Sequence, residues 1–133
     1  KICFAGYGAS KYTNRGSNII IKDNVESLED EIVKSKIYLS PLYEGTGVKN
    51  KILSAINCAR PIVCTALSVE GVDVVKGRES VMICKDYEDF KLAINSINES
   101  YDYFQEEACK LKEYSDKMMS WDKFSNVFIE SIC

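Results

Sequence analysis

The stretch Ser40-Pro41-Leu42-Tyr43-Glu44-Gly45-Thr46-Gly47-Val48-Lys49-Asn50-Lys51-Ile52-Leu53-Ser54-Ala55 decides the fold of this chain. Residues 36–40, on its left flank, form an apolar run of strand length closed by Pro41, which has no N–H to donate to a ladder. On the right flank the period changes. Val48, Ile52, Ala55 and Ile56 recur at helical spacing and predict a helix over residues 48–58. A strand therefore passes through a glycine-containing loop into a helix, with the free N–H groups of the first turn and the positive dipole end facing outward. Gly45 and Gly47 remove side-chain bulk, so an anion can approach the amides of residues 45–49. Lys49 and Lys51 oppose the dipole by roughly a few tenths of a kcal/mol, a cost that a bound diphosphate would offset. An ordinary turn with solvated lysines fits the same spacing, and spacing alone leaves both readings open.

Outward from this stretch, strand-length apolar runs alternate with amphipathic ones. Residues 1–5 read as a buried strand ending at Gly6-Tyr7-Gly8, residues 9–17 are polar and turn-rich, and residues 18–22 give a second strand. Asn24 or Ser27 can cap a short helix through Lys34, with Leu28, Ile32 and Ser35 on one face. Downstream, residues 61–65 form a strand with Pro61 at its first position. A loop containing Glu70-Gly71 leads to residues 72–75, and residues 81–84 form the last strand. Helices are expected over residues 87–97, 101–117 and 120–132.

Continuous Ile/Val-rich strands joined by helical crossovers predict the α/β class: one domain over residues 1–133, with a Rossmann-like parallel sheet covered by helices on both faces. Such sheets bind ligands beyond the carboxyl ends of their strands. Candidate loops are residues 6–8, 23–25, 41–49 and 65–71, all expected on one edge.

Composition narrows the function classes. The chain has 133 residues, suited to one compact domain, and its 46% hydrophobic and 28% charged content is that of a soluble protein with a core. No apolar run approaches the ~20 residues of a membrane helix. No secretory pattern opens the chain, and a strand directly after Lys1, without an initiator Met, predicts a fragment whose upstream partner strands are missing. Residues 1–85 carry 12 Lys/Arg against 9 Asp/Glu, whereas residues 86–116 carry 3 against 9. The first part tolerates an anionic ligand; the acidic tail argues against nucleic acid, which needs a concentrated basic face.

The six cysteines are dispersed, without a Cys-x2-Cys pair, and there is no His. Zinc sites need clustered ligands, so no metal is expected. Cys3, Cys64 and Cys84 lie in apolar strand runs and read as reduced core residues of a cytoplasmic protein. Without His, no Ser–His or Cys–His nucleophile pair can form within the chain. No Gly-x4-Gly-Lys-Ser/Thr loop occurs, and Lys11 stands where Gly6-x-Gly8 would need its third glycine.

Residues 37–71 resemble the signature of the group-one, retaining GT-B glycosyltransferases. The matching pieces are Tyr38-Leu39-Ser40-Pro41-Leu42, Gly45-Thr46-Gly47-Val48-Lys49-Asn50-Lys51-Ile52-Leu53-Ser54-Ala55, Ala59-Arg60-Pro61-Ile62-Val63-Cys64-Thr65 and Glu70-Gly71. Residues 2–8 are similar to the family's strand ending in Gly-x-Gly, residues 19–25 to the strand before its base-binding turn, and Ser120-Trp121 to its aromatic closing element. The resemblance implies the C-terminal, donor-binding half of a two-domain enzyme that moves a sugar from a UDP- or GDP-sugar, with retention, in polysaccharide biosynthesis. It implies no permanently bound cofactor, and it is compatible with peripheral membrane association through the full-length enzyme.

By the same resemblance, the Asp23–Val25 turn, with Asn24 and Val25 as its binding residues, holds the nucleobase through backbone groups, and Gly6 and Gly8 line the first strand's end. Gly45, Thr46, Gly47, Val48 and Lys49 cradle the diphosphate and sugar, with Lys51 adding charge. Glu44 occupies the place of the carboxylate that bonds sugar hydroxyls. Glu44 and Lys49 are the catalytic candidates, since charge develops on the departing diphosphate in the transition state.

One departure stands out. The family's second carboxylate, which grips the ribose, is expected where Ser54 stands, and Ser is a shorter, uncharged partner. The basic pair that clamps the diphosphate, the acceptor site and any general base belong to the segment before Lys1, so the chain alone is expected not to turn over. A non-catalytic relative serving as a binding or scaffold module, or a sugar-nucleotide epimerase, remains an alternative. Tyr101, Phe104, Trp121, Phe124 and Phe128 form an aromatic stripe that reads as core in preference to a partner surface.

Overall fold

The computed structural model describes residues 1–12, 16–45 and 50–119. Strands and helices follow in the order β1 (Ile2–Gly6), β2 (Ile19–Asp23), α1 (Leu28–Lys34), β3 (Tyr38–Ser40), α2 (Asn50–Asn57), β4 (Ile62–Cys64), β5 (Val81–Ile83), α3 (Tyr87–Glu99) and α4 (Tyr101–Met118). Short 3-10 turns lie at Ala9–Tyr12, Ala66–Val69 and Asp73–Val75. The expected helix over residues 120–132, with Trp121, Phe124 and Phe128, lies outside the described residues.

Local chemistry sets the helix ends. Of the two candidate caps for α1, Ser27 is the one used: its hydroxyl accepts from the Asp30 N–H at 3.1 Å. Asn24 instead turns the chain after β2 with φ 50, a left-handed conformation that Asn tolerates better than most side chains. Asp86 caps α3 by accepting from the Asp89 N–H at 3.0 Å. Helix α2 is closed by Ala59 in the left-handed region, where the Ala59 N–H reaches Ile56 O at 2.8 Å and the Arg60 N–H reaches Ala55 O at 3.1 Å. Arg60 then ties the end of α2 to α1 and α4, donating to Val33 O at 2.9 Å, Gln105 Oε1 at 3.0 Å and Tyr101 Oη at 3.3 Å.

Every strand pair is parallel, and the chain is α/β with the Rossmann-like alternation expected of it. Among the described residues the ladders are two. β1 pairs β2, and β3–β4–β5 form a second sheet with β4 in the centre. Among the described residues no ladder joins β1 to β3.

The second sheet is covered on both faces because β4 alternates. Ile62 and Cys64 pack with Ile52, Ala55 and Ile56 of α2 and Leu111 of α4. Val63, pointing the other way, packs with Phe90, Ala93 and Ile97 of α3, and Tyr101 and Phe104 join that cluster as partly buried members. Their position supports the core reading of those two aromatics.

The first ladder differs from expectation. Residues 1–5 were expected to be a buried strand, yet Ile2, Cys3 and Phe4 are exposed. Cys3 is therefore not a core thiol, whereas Cys64 and Cys84 are buried. The reason is coverage: among the described residues, α1 and the Ala9–Tyr12 turn make the main contacts with this ladder, and they leave Ile2 and Phe4 exposed. Helix α1 is fixed there by buried Ile32 and by Glu31, which pairs with Lys22 of β2 at 2.6 Å and with Lys34 at 2.9 Å.

Candidate functional site

Parallel register brings the candidate loops to the carboxyl end of each ladder. In the first, Gly6 pairs with Asp23; in the second, Ser40, Cys64 and Ile83 share one rung.

Beyond β1 and β2, donors converge on the Asp23 carboxylate. It accepts from the Gly8 N–H at 2.8 Å, the Asn24 N–H at 3.0 Å, the Ser10 N–H at 3.4 Å and the Ser10 hydroxyl. The Ser10 hydroxyl foremost holds the Asp23 carboxyl below the usual carboxylate range; desolvation, the next largest effect, opposes it, and the N–H groups of Gly8, Ser10 and Asn24 add to the lowering. Gly8 reaches this carboxylate because its φ is +78, a conformation that other residues adopt at a cost. Gly8 and Asn24, predicted from opposite sides of a 15-residue gap, are thus joined by one side chain. Asp23 lay within the predicted turn, but its role as the knot was not foreseen. Val25 is half-buried beside it.

Beyond β3 and β4, three hydroxyls fix the start of the glycine loop. Ser68 Oγ donates to Ser40 O at 2.7 Å and accepts from Ser40 Oγ at 3.0 Å. Thr65 Oγ1 lies 3.0 Å from Ser68 Oγ and donates to Leu42 O. Ser68 is itself buried. This network anchors residues 40–42 to the loop after β4, so the approach to Glu44 is set from below. Ser68 was missed by sequence reasoning; its only trace was a small hydroxyl placed shortly after a strand end that already carried Thr65.

Glu44 and Gly45 are exposed, and Gly45 has φ +125. A Cβ there would meet only Leu42 Cδ1, at 3.9 Å, so conformation and not space reserves the position for glycine. Lys51 is exposed near the start of α2. Thr46, Gly47, Val48 and Lys49 lie outside the described residues, and so does the cradle they were predicted to form. Glu44 and Gly45 precede these residues in the chain, and Lys51 follows them.

Ser54 does not stand alone. Its hydroxyl donates to Glu29 Oε1 of α1 at 2.7 Å. Cys58 Sγ lies 3.8 Å from Glu29 O on the same helix pair. Glu29 was not singled out by the sequence, because nothing in residues 24–34 says which helix faces which.

A depression of about 440 Å³ runs along β5, lined mainly by Val69, Val72, Val75, Val81 and Ile83. It borders the loop after β4 and includes none of Gly6, Gly8, Asn24, Val25, Glu44, Gly45, Lys51 or Ser54; Lys76, Arg78 and Glu79 line it beside the apolar side chains. Among the described residues, no group of three or more His, Cys, Asp or Glu is placed to hold a metal ion. No helix among them is long and apolar enough to cross a membrane.

Comparison with known proteins gives a family match. The family model described as "Glycosyl transferases group 1" covers residues 1–100 of the chain. No curated protein and no solved structure matches it.

Proposed function

The chain belongs to the group 1 glycosyltransferases, and on that premise we propose that it is the donor-binding half of an enzyme that transfers a sugar from a nucleotide-sugar, UDP- or GDP-linked, to an acceptor held by a second α/β half. The observation that carries this reading is the extent of the family match: residues 1–100 include every candidate site residue, from Gly6 to Ser54. The hydrogen bonds that anchor the loop carrying Glu44 and Gly45 support it, because they preorganise that loop before any ligand arrives.

In this reading the nucleobase lies against backbone groups of Asn24 and Val25, beside the Gly6–Gly8 turn. The diphosphate lies on the N–H groups of residues 45–49, with Lys49 and Lys51 beside it. Glu44 accepts hydrogen bonds from sugar hydroxyls. Transfer breaks the bond between the sugar's anomeric carbon and the diphosphate and forms one to the acceptor oxygen, which gives up its proton. Negative charge gathers on the departing diphosphate, and amides and lysines fixed in advance stabilise it without reorganising. The donor half therefore supplies leaving-group stabilisation, and the other half supplies the acceptor.

Lys51→Glu provides the test. An acidic residue near a helix start favours the helix by a few tenths of a kcal/mol, so a loss of binding in this variant cannot come from a loss of fold. Calorimetric titration should show UDP or GDP binding weakened by about tenfold, as expected for one charge-assisted contact. Unchanged affinity for both nucleotides would remove the α2 end from the donor site.

A further inference from the structure

We propose that Glu29 of α1 is the carboxylate that recognises the ribose cis-diol of the donor nucleotide, and that Ser54 of α2 is its positioning residue. The inference rests on the donor-binding reading above and adds to it a residue from a different helix.

Placement comes first. Helix α1 follows the turn after β2, and α2 follows the glycine loop after β3. A nucleotide lying across these two loops, base at one and diphosphate at the other, puts its ribose where the two helices meet. The Glu29–Ser54 hydrogen bond, spanning 25 residues of chain, is at that meeting. The helices are held together behind it by the Cys58 Sγ contact to Glu29 O and by Arg60, which donates to Val33 O at 2.9 Å. The pair is therefore built into the packing of α1 on α2.

Chemistry agrees with placement. A cis-diol offers two adjacent O–H donors, and a carboxylate has about four lone-pair acceptor sites. Ser54 occupies one of them. Glu29 is exposed, and among the described residues it forms no ion pair. Its neighbour Glu31 is the contrast: Lys22 and Lys34 both neutralise it. Glu29 is thus ordered by a neutral hydroxyl, which fixes its direction and leaves its charge available to further donors. The Ser54 hydroxyl foremost, then the residue's own backbone N–H, holds the Glu29 carboxyl below the usual range, so it stays ionised through neutral pH. The carboxylate that the sequence lacks at position 54 is supplied in space from α1, one hydrogen bond away.

The experiment is a titration of the chain with UDP and GDP and with their 2′-deoxy counterparts, in the wild type, Glu29→Gln and Ser54→Ala. Gln keeps the size and the acceptor for Ser54 but removes the charge. Glu29→Gln should weaken binding of the ribonucleotide roughly tenfold and that of the 2′-deoxy analogue markedly less. Ser54→Ala should show a smaller loss with the same preference. Equal losses on both nucleotide types, or none in Glu29→Gln, overturn the assignment to Glu29. No effect in Ser54→Ala overturns the positioning role. If the wild type binds neither UDP nor GDP, the donor-binding reading itself falls; if it binds them and Glu29→Gln is indistinguishable, only this inference does.

Discussion

Strands β4 and β1 are both short, apolar and parallel-paired, yet they end in opposite environments. Ile62, Val63 and Cys64 of β4 are 0% exposed, while Ile2 and Phe4 of β1 keep 46% and 43% of their surface. The difference does not lie in the side chains. β4 has a ladder on either side, α2 and α4 on one face and α3 on the other. β1 has β2 beside it, with α1 and a 3-10 turn as partial cover. An apolar strand carries the potential for burial, and the elements packed on it decide whether that potential is realised. Stability should therefore be concentrated in the β3–β4–β5 sheet, and the β1–β2 ladder should tolerate change.

The largest effect that tests this contrast is truncation at the centre of β4. Ile62→Ala should cost about 2–5 kcal/mol in urea unfolding, because the closed packing around Ile52, Ile56 and Leu111 leaves a cavity that cannot collapse. A loss below 1 kcal/mol would mean that the sheet is looser than its burial indicates.

Between the extremes lies a pH effect from the same strand. Burial foremost, with the neighbouring Cys84 thiol second, pushes the Cys64 thiol up to about 12 from its ordinary 9. The folded chain then holds this proton more tightly than the unfolded chain does. The resulting stability is complete below pH 9 and is lost as pH rises from 9 toward 12. Unfolding measured between pH 8 and 11 should fall more steeply in the wild type than in Cys64→Ala. Parallel curves would show that the thiol is less enclosed than its packing implies.

The smallest effect belongs to the first ladder. Ile20, in β2, is 41% exposed, and Ile20→Thr keeps the β-branched shape suited to a strand. Its unfolding free energy should stay within about 0.5 kcal/mol of the wild type. A cost comparable to Ile62→Ala would erase the distinction between the two ladders.

Much of the local order around the candidate site was legible along the chain. The run from Ser40 to Ala55 announces strand, glycine loop and helix through its change of period, and that order alone places the loop beyond a strand's carboxyl end. Gly45 was singled out for its missing bulk, whereas the structure gives φ +125 there with room for a Cβ, so it is conformation that the position requires. Choices between near-equivalent partners were not legible. Asn24 and Ser27 both satisfy the rule for a cap, and the position of the first turn selects Ser27. Ser68 carried no distinguishing mark until the loop after β4 folded under residues 40–42. Glu29 looked like one more acidic residue in a first helical turn, next to Asp30 and Glu31.

By itself the sequence determined what depends on near neighbours: the alternation of strands and helices, the parallel α/β class, the caps available, and the family to which the glycine loop belongs. Those features follow from periodicity and backbone chemistry within a few residues. Only the tertiary structure decided that β4 is enclosed and β1 is not, that Asp23 gathers Gly8 and Asn24, and that Glu29 stands beside Ser54 across 25 residues. These outcomes depend on which surfaces meet, and contact between distant segments is set by the packing of whole elements, about which no local pattern carries information.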